Sequence, residues 1–158
     1  RWVQNLVHRG IPRVVRGAAW SRMIGNQESL NEAKYKDLLA RCGVMGTSIP
    51  GVDEIPLDLP RTHFGGRGVD PQQLLPVLQA VATLKPDIGY VQGMSYVGAM
   101  FLLFMGPVEA FVCMGNMLYR PNSFFPGYLR MDLDSLRLRW RVFEVLLGQE
   151  CSDLACHF

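Results

Sequence analysis

With 158 residues, the chain is long enough for one domain with a real core and too short for two comfortable ones. A hydrophobic content of 49% excludes a disordered chain, and a formal charge of +2 is too small to argue a polybasic partner. The longest apolar run, from Val97 to Met105, is too short to span a bilayer, and no signal peptide is expected.

The cations are skewed, with 13 Arg against 3 Lys (Lys34, Lys36 and Lys85). A planar guanidinium suits carboxylates and phosphates, although a GC-rich genome gives the same bias. Arg1, Arg9, Arg13, Arg16 and Arg22 all precede the first acid, Glu28. This basic segment reads as a solvated helix face or as a contact for an acidic partner or anionic surface.

In chain order, the periodicity predicts a first helix from about Arg13, carrying Val14, Val15, Ala18, Ala19 and Met23 and ending at Gly25-Asn26. A second is predicted from about Ser29 to Arg41, with Leu30, Ala33, Leu38 and Leu39 on its apolar side and Gly43 as its stop. Residues 43 to 70 then break the pattern. Gly43, Gly46, Gly51, Gly65, Gly66 and Gly68, with Pro50, Pro56 and Pro60, leave no room for a long helix. So long a connection inside one domain is usually functional.

Helices resume at Asp70-Pro71, a capping residue followed by a proline suited to the first helical position. That helix is predicted to reach Leu84, with a bend at Pro76. After a break at Lys85-Pro86-Asp87, a very apolar helix is predicted from about Tyr90 to Met105, and another from about Val108 to Tyr119. Pro121 to Gly127 reads as a loop. The last helix is predicted over Asp134 to Leu147, with Leu136, Trp140, Phe143 and Leu147 as its core stripe. The fold class is therefore all-α, an irregular helical bundle, with no internal repeat to indicate a solenoid.

Cys42, Cys113, Cys151 and Cys156 show no disulfide spacing, so reduced thiols in an intracellular protein are expected, with Cys113 in the core. Cys151, Cys156 and His157 lack the paired spacing of a zinc site, and no metal is expected.

Three clusters can carry chemistry. The first runs from Gly10 to Trp20 and sets Arg16 one helical turn before Trp20, which also fits a plain scaffold with the guanidinium stacked on the indole. The second runs from Ile55 to Phe64. Here Ile55, Leu57 and Leu59 can anchor a loop that Pro56 and Pro60 stiffen around Arg61. Asp58 stands three residues before Arg61, and alone the two read equally as a surface ion pair. The third, Gly89 to Met94, places the carboxamide of Gln92 between glycines at the mouth of an apolar helix, where local capping is the ordinary role.

Taken together, in this order, the clusters resemble the TBC domain, the helical family of GTPase-activating proteins for Rab GTPases. The motifs are R-G-x-x-W (Arg16, Gly17, Trp20), I-x-x-D-x-x-R (Ile55, Asp58, Arg61) and Y-x-Q-G-M (Tyr90, Gln92, Gly93, Met94). The resemblance covers nearly the whole of residues 1–158 and implies a domain that continues past the last predicted helix. It implies that Arg61 is an arginine finger and Gln92 a glutamine finger, both entering the nucleotide site of a GTP-bound Rab. Arg16, Asp58 and Tyr90 are expected to support them. GTP and Mg²⁺ would belong to the partner, so no cofactor is expected of this chain. A monomer is expected, cytoplasmic and peripheral on trafficking membranes through the GTPase or through other regions. It would supply catalytic residues to another protein's active site and would have no reaction of its own. The rival reading is a non-catalytic GTPase-binding or scaffold module of the same fold. Nucleic-acid binding is not expected, because the Arg-rich segments lack interleaved aromatics or a recognisable module.

Overall fold

The computed structural model describes residues 10–64, 67–120, 129–130 and 132–157. Among them the chain is all-α apart from one two-residue ladder, and it forms two compact units, Arg1–Arg120 and Pro121–Phe158. The predicted loop at Pro121 to Gly127 lies outside the described residues, as do Arg1, Arg9, Gly65 and Gly66.

The first unit contains α1 (Arg13–Ile24), α2 (Glu32–Met45), the one-turn α3 (Ile55–Asp58), α4 (Pro71–Leu84), α5 (Met94–Leu102) and α6 (Pro107–Tyr119). Its centre is α4, which packs on α2, α5 and α6. The sequence dictates that position. Asp70 accepts from the Gln72 amide at 2.9 Å, and Pro71 occupies a helical position whose N–H has no intrahelical partner. Beyond the cap, Leu74, Val77, Leu78, Ala80, Val81 and Ala82 are at most 2% exposed, too broad a band for a surface helix. Each large side chain so buried contributes about 1.5–3 kcal/mol. The helix continues through Pro76 without interruption.

The loop between α1 and α2 is fixed by two side-chain amides, the exposed Asn26 and the buried Asn116. Asn26 bonds the Leu30 N–H and carbonyl at 2.9 and 2.7 Å. Asn116 of α6 donates to Asn26 at 2.9 Å and accepts from the Glu28 N–H at 3.1 Å. Residues 46–61 descend in three 3₁₀ turns around α3 (Gly46–Ser48, Val52–Glu54 and Leu59–Arg61). β1 (His63–Phe64) then pairs antiparallel with β2 (Arg67–Gly68).

Several expected boundaries and faces move. In α1, Val14, Val15 and Met23 are exposed, and the face turned inward holds Gly17 and the half-buried Trp20. A Cβ on Gly17 would collide with the Phe104 carbonyl oxygen, so the helix approaches along its one residue without a side chain. α2 starts later, where the Asn31 side chain caps the Lys34 amide, and it runs through Gly43 to stop at Gly46 (φ 51°). Its buried face is Tyr35, Leu38 and Cys42, and Ala33 is exposed. The apolar helix expected from Tyr90 begins only at Met94, because Val91 to Gly93 form a turn.

The second unit contains α7 (Leu133–Glu150) and α8 (Ser152–Ala155), which pack together. The expected core stripe of α7 is half-buried at Leu136 and Leu147, but Trp140 is 66% and Phe143 53% exposed. The physical reason is angular. Leu138, Val142, Val145 and Leu146 spread the apolar residues around the helix, and a one-turn partner covers only part of that surface. No helix among the described residues is long and apolar enough to cross a membrane.

Candidate functional site

Arg61 owes its place to the residue spacing of a helical turn. The alternation Ile55, Leu57, Leu59 predicts three anchors only for an extended chain. The segment is instead α3 followed by the 3₁₀ turn Leu59–Arg61, so positions three apart share a face. Ile55 and Asp58 therefore point inward, fully buried and 9% exposed respectively, while Leu57 is 62% exposed. The Arg61 side chain remains 66% exposed, with its Nη1 4.0 Å from Asp58 Oδ1. An ion pair this long at the surface leaves the guanidinium loosely held.

A buried carboxylate needs a donor, and Asp58 has one from a distant part of the chain. Tyr90 Oη donates to Asp58 Oδ2 at 2.7 Å. Burial, and then this bond to the carboxylate, push the Tyr90 hydroxyl pKa well above its ordinary value, so it stays protonated as the donor. The same stretches are joined through backbone, since the Tyr90 N–H donates to the Pro50 carbonyl at 2.8 Å. Gly89 allows that approach: at φ 66° its backbone lies in the left-handed region, and a Cβ there would strike Pro50.

Gln92 follows two residues after Tyr90, exposed at the turn that leads into α5. Below it, the buried Met94 closes the turn, its amide donating to the Val91 carbonyl at 3.1 Å and its Sδ accepting from the Val91 N–H at 3.2 Å. Gly93, at φ 97°, takes the left-handed position before the helix. One turn on, Tyr96 Oη donates to the Arg61 carbonyl at 2.9 Å.

The structure thus brings the Arg61 and Gln92 segments together through Asp58–Tyr90, Pro50–Tyr90 and Arg61–Tyr96. It presents one permanent cation and one neutral carboxamide from adjoining, exposed backbone. That pairing can stabilise negative charge and orient a small polar molecule.

Arg16, expected to support this loop, is engaged elsewhere. Its guanidinium donates twice to the Ile11 carbonyl, at 3.1 and 2.8 Å, and lies 4.8 Å from the Phe104 ring centre and 5.9 Å from that of Trp20. Trp20 also meets Phe104 and Phe101 edge-on, at 5.2 and 5.9 Å. Arg16, Gly17 and Trp20 therefore form the seat of α1, remote in their contacts from Asp58 and Tyr90. Sequence reasoning missed Tyr96 and Thr62. Thr62 is 5% exposed, and its hydroxyl donates to the Asp58 carbonyl at 2.8 Å. The signal for Tyr96 was its position four residues after Gln92. Among the described residues no group of three or more His, Cys, Asp or Glu side chains is placed to hold a metal ion.

An all-α domain whose three motif clusters serve as a helix seat, a cation-bearing turn and a carboxamide-bearing turn defines a narrow class. The chain matches the Rab-GTPase-TBC domain family over residues 13–158, and it belongs to that family. Among curated proteins it is 29% identical to TBC1 domain family member 12 of Rattus norvegicus over 181 residues, covering 100% of this chain and 26% of that protein. TBC1 domain family member 14 of Homo sapiens is 29% identical over 183 residues, with the same two shares. A TBC domain-containing protein of Schizosaccharomyces pombe is 29% identical over 165 residues, covering 99% of this chain and 21% of its own length. The chain spans about a quarter of the length of these relatives.

Proposed function

We propose that the chain accelerates GTP hydrolysis by a Rab-family GTPase, with Arg61 as an arginine finger and Gln92 as a glutamine finger supplied in trans. The observation that carries this reading is the tie between the two segments. The exposed Arg61 and Gln92 stand on backbone joined by the Tyr90–Asp58 and Tyr96–Arg61 bonds. Phosphoryl transfer to water spreads negative charge over the γ-phosphate and the bridging oxygen. A guanidinium donating to those atoms stabilises the transition state more than the ground state. A neutral carboxamide accepts from the attacking water and orients it without adding charge. The long Asp58 contact suits such a finger, because little has to be broken when Arg61 reaches a phosphate. GTP and Mg²⁺ come with the partner, and the chain acts as a monomer at the cytoplasmic face of a trafficking membrane.

Single-turnover phosphate release from a panel of GTP-loaded Rabs tests this. Arg61→Ala is expected to lose about 10³- to 10⁵-fold in stimulated rate, roughly 4–7 kcal/mol of barrier, with the fold retained. Stimulation by the variant equal to that of the parent contradicts the assignment. Association without any added phosphate release, by parent and variant alike, is the signature of the rival binding module.

A further inference from the structure

Arg61 ends a single 3₁₀ turn, and the last carbonyls of a helical turn have no partner within it. Thr62 secures the carbonyls two and three positions before Arg61, its N–H donating to the Leu59 carbonyl at 3.2 Å and its hydroxyl to the Asp58 carbonyl. The Arg61 carbonyl is taken by Tyr96 Oη, 35 positions along the chain. Tyr96 lies in the first turn of α5, its own N–H donating to the Gly93 carbonyl at 3.2 Å, so it moves with the turn that carries Gln92.

We propose that Tyr96 is a positioning residue for Arg61, its hydroxyl fixing the backbone of the finger to the helix that opens two residues after Gln92. This rests on the function proposed above. A guanidinium sits at the end of a long, flexible side chain, and any swing of its carbonyl is carried outward to the charge. The Tyr90–Asp58 bond holds the start of the turn, and the Tyr96 bond holds its end. Together they set the finger relative to Gln92 before a partner arrives, and preorganisation of this kind acts on the chemical step rather than on association.

Tyr96→Phe removes the hydroxyl and keeps the ring. Two measurements on the chain are paired. In the free protein, the carbonyl ¹³C resonance of Arg61 is expected to move upfield as the bond is lost. In Rab-stimulated hydrolysis, kcat is expected to fall roughly tenfold with KM for the GTP-loaded Rab unchanged, because small misplacements of a reacting group cost rate steeply. Unchanged kcat, or a raised KM at full kcat, overturns the positioning role; the second would make Tyr96 a contact for the GTPase. An unmoved Arg61 resonance overturns the tether itself. If the parent shows the tethered resonance and stimulates no Rab, the proposed function fails, and the role of Tyr96 in it fails with it.

Discussion

Tyr90 is 4% exposed, and its hydroxyl satisfies a buried carboxylate. Tyr90→Phe keeps the ring and leaves Asp58 Oδ2 without its 2.7 Å donor. A hydrogen bond to a charged group is worth about 1.5–3 kcal/mol, and urea denaturation at neutral pH is expected to show a loss of that size. The pH dependence follows from the direction of the shift. The folded pKa of Tyr90 lies above its unfolded value of 10.0, so its contribution is complete below about pH 10 and is lost as the pH rises beyond it. The buried Cys113 thiol, pushed up from 9.0 to about 11, produces a similar loss between those values. The difference between parent and Tyr90→Phe therefore isolates the tyrosine, and it should shrink above pH 10; a constant difference contradicts the account. At this scale the sequence was partly legible. Asp58, Arg61, Tyr90 and Gln92 stood out by residue type and spacing. The Tyr90–Asp58 and Tyr96–Arg61 bonds did not, because each joins positions more than thirty apart and depends on how two loops meet.

Helix boundaries show what local signals decide and what tertiary packing decides. Asp70-Pro71 and Gly106-Pro107 open α4 and α6 as their residue types dictate. Gly43 misleads as a stop: it lies inside α2, with nothing within 4 Å of where a Cβ would stand. Two glycines three residues apart offer equal stop signals, and it is Gly46 that takes the positive φ and returns its N–H to the Cys42 carbonyl. Gly17 is the opposite case, a helical glycine whose missing side chain is a packing requirement. Gly43→Ala is expected to stabilise the domain by about 0.5–1 kcal/mol through helix propensity. Gly17→Ala is expected to destabilise it by about 1–3 kcal/mol through overpacking. Thermal melts of the pair check both signs, and equal shifts contradict the distinction. The α3 segment teaches the same lesson, since an alternating apolar pattern over Ile55, Leu57 and Leu59 became a helical turn that buried Asp58 in place of Leu57.

For the molecule as a whole, the family was legible because three motifs recur in fixed order along most of the chain, and the match over residues 13–158 establishes it. The division of labour among the motifs was not legible. The cluster of Arg16, Gly17 and Trp20 stands in order with the other two, yet its contacts seat α1 on Phe104, while Asp58 meets Tyr90 and the Arg61 carbonyl meets Tyr96. The exposed Trp140 and Phe143 of α7 likewise reflect how little of that helix its own compact unit can cover. In the function proposed above, Arg61 and Gln92 act as a catalytic pair on a nucleotide bound by another protein. The most direct test uses a GTP-loaded Rab whose own catalytic glutamine is replaced by alanine, with phosphate release followed in single turnover. The parent chain is expected to stimulate this Rab nearly as well as the unaltered one, and Gln92→Ala to abolish that stimulation. Stimulation that vanishes with the Rab's own glutamine, or persists in Gln92→Ala, would contradict the account.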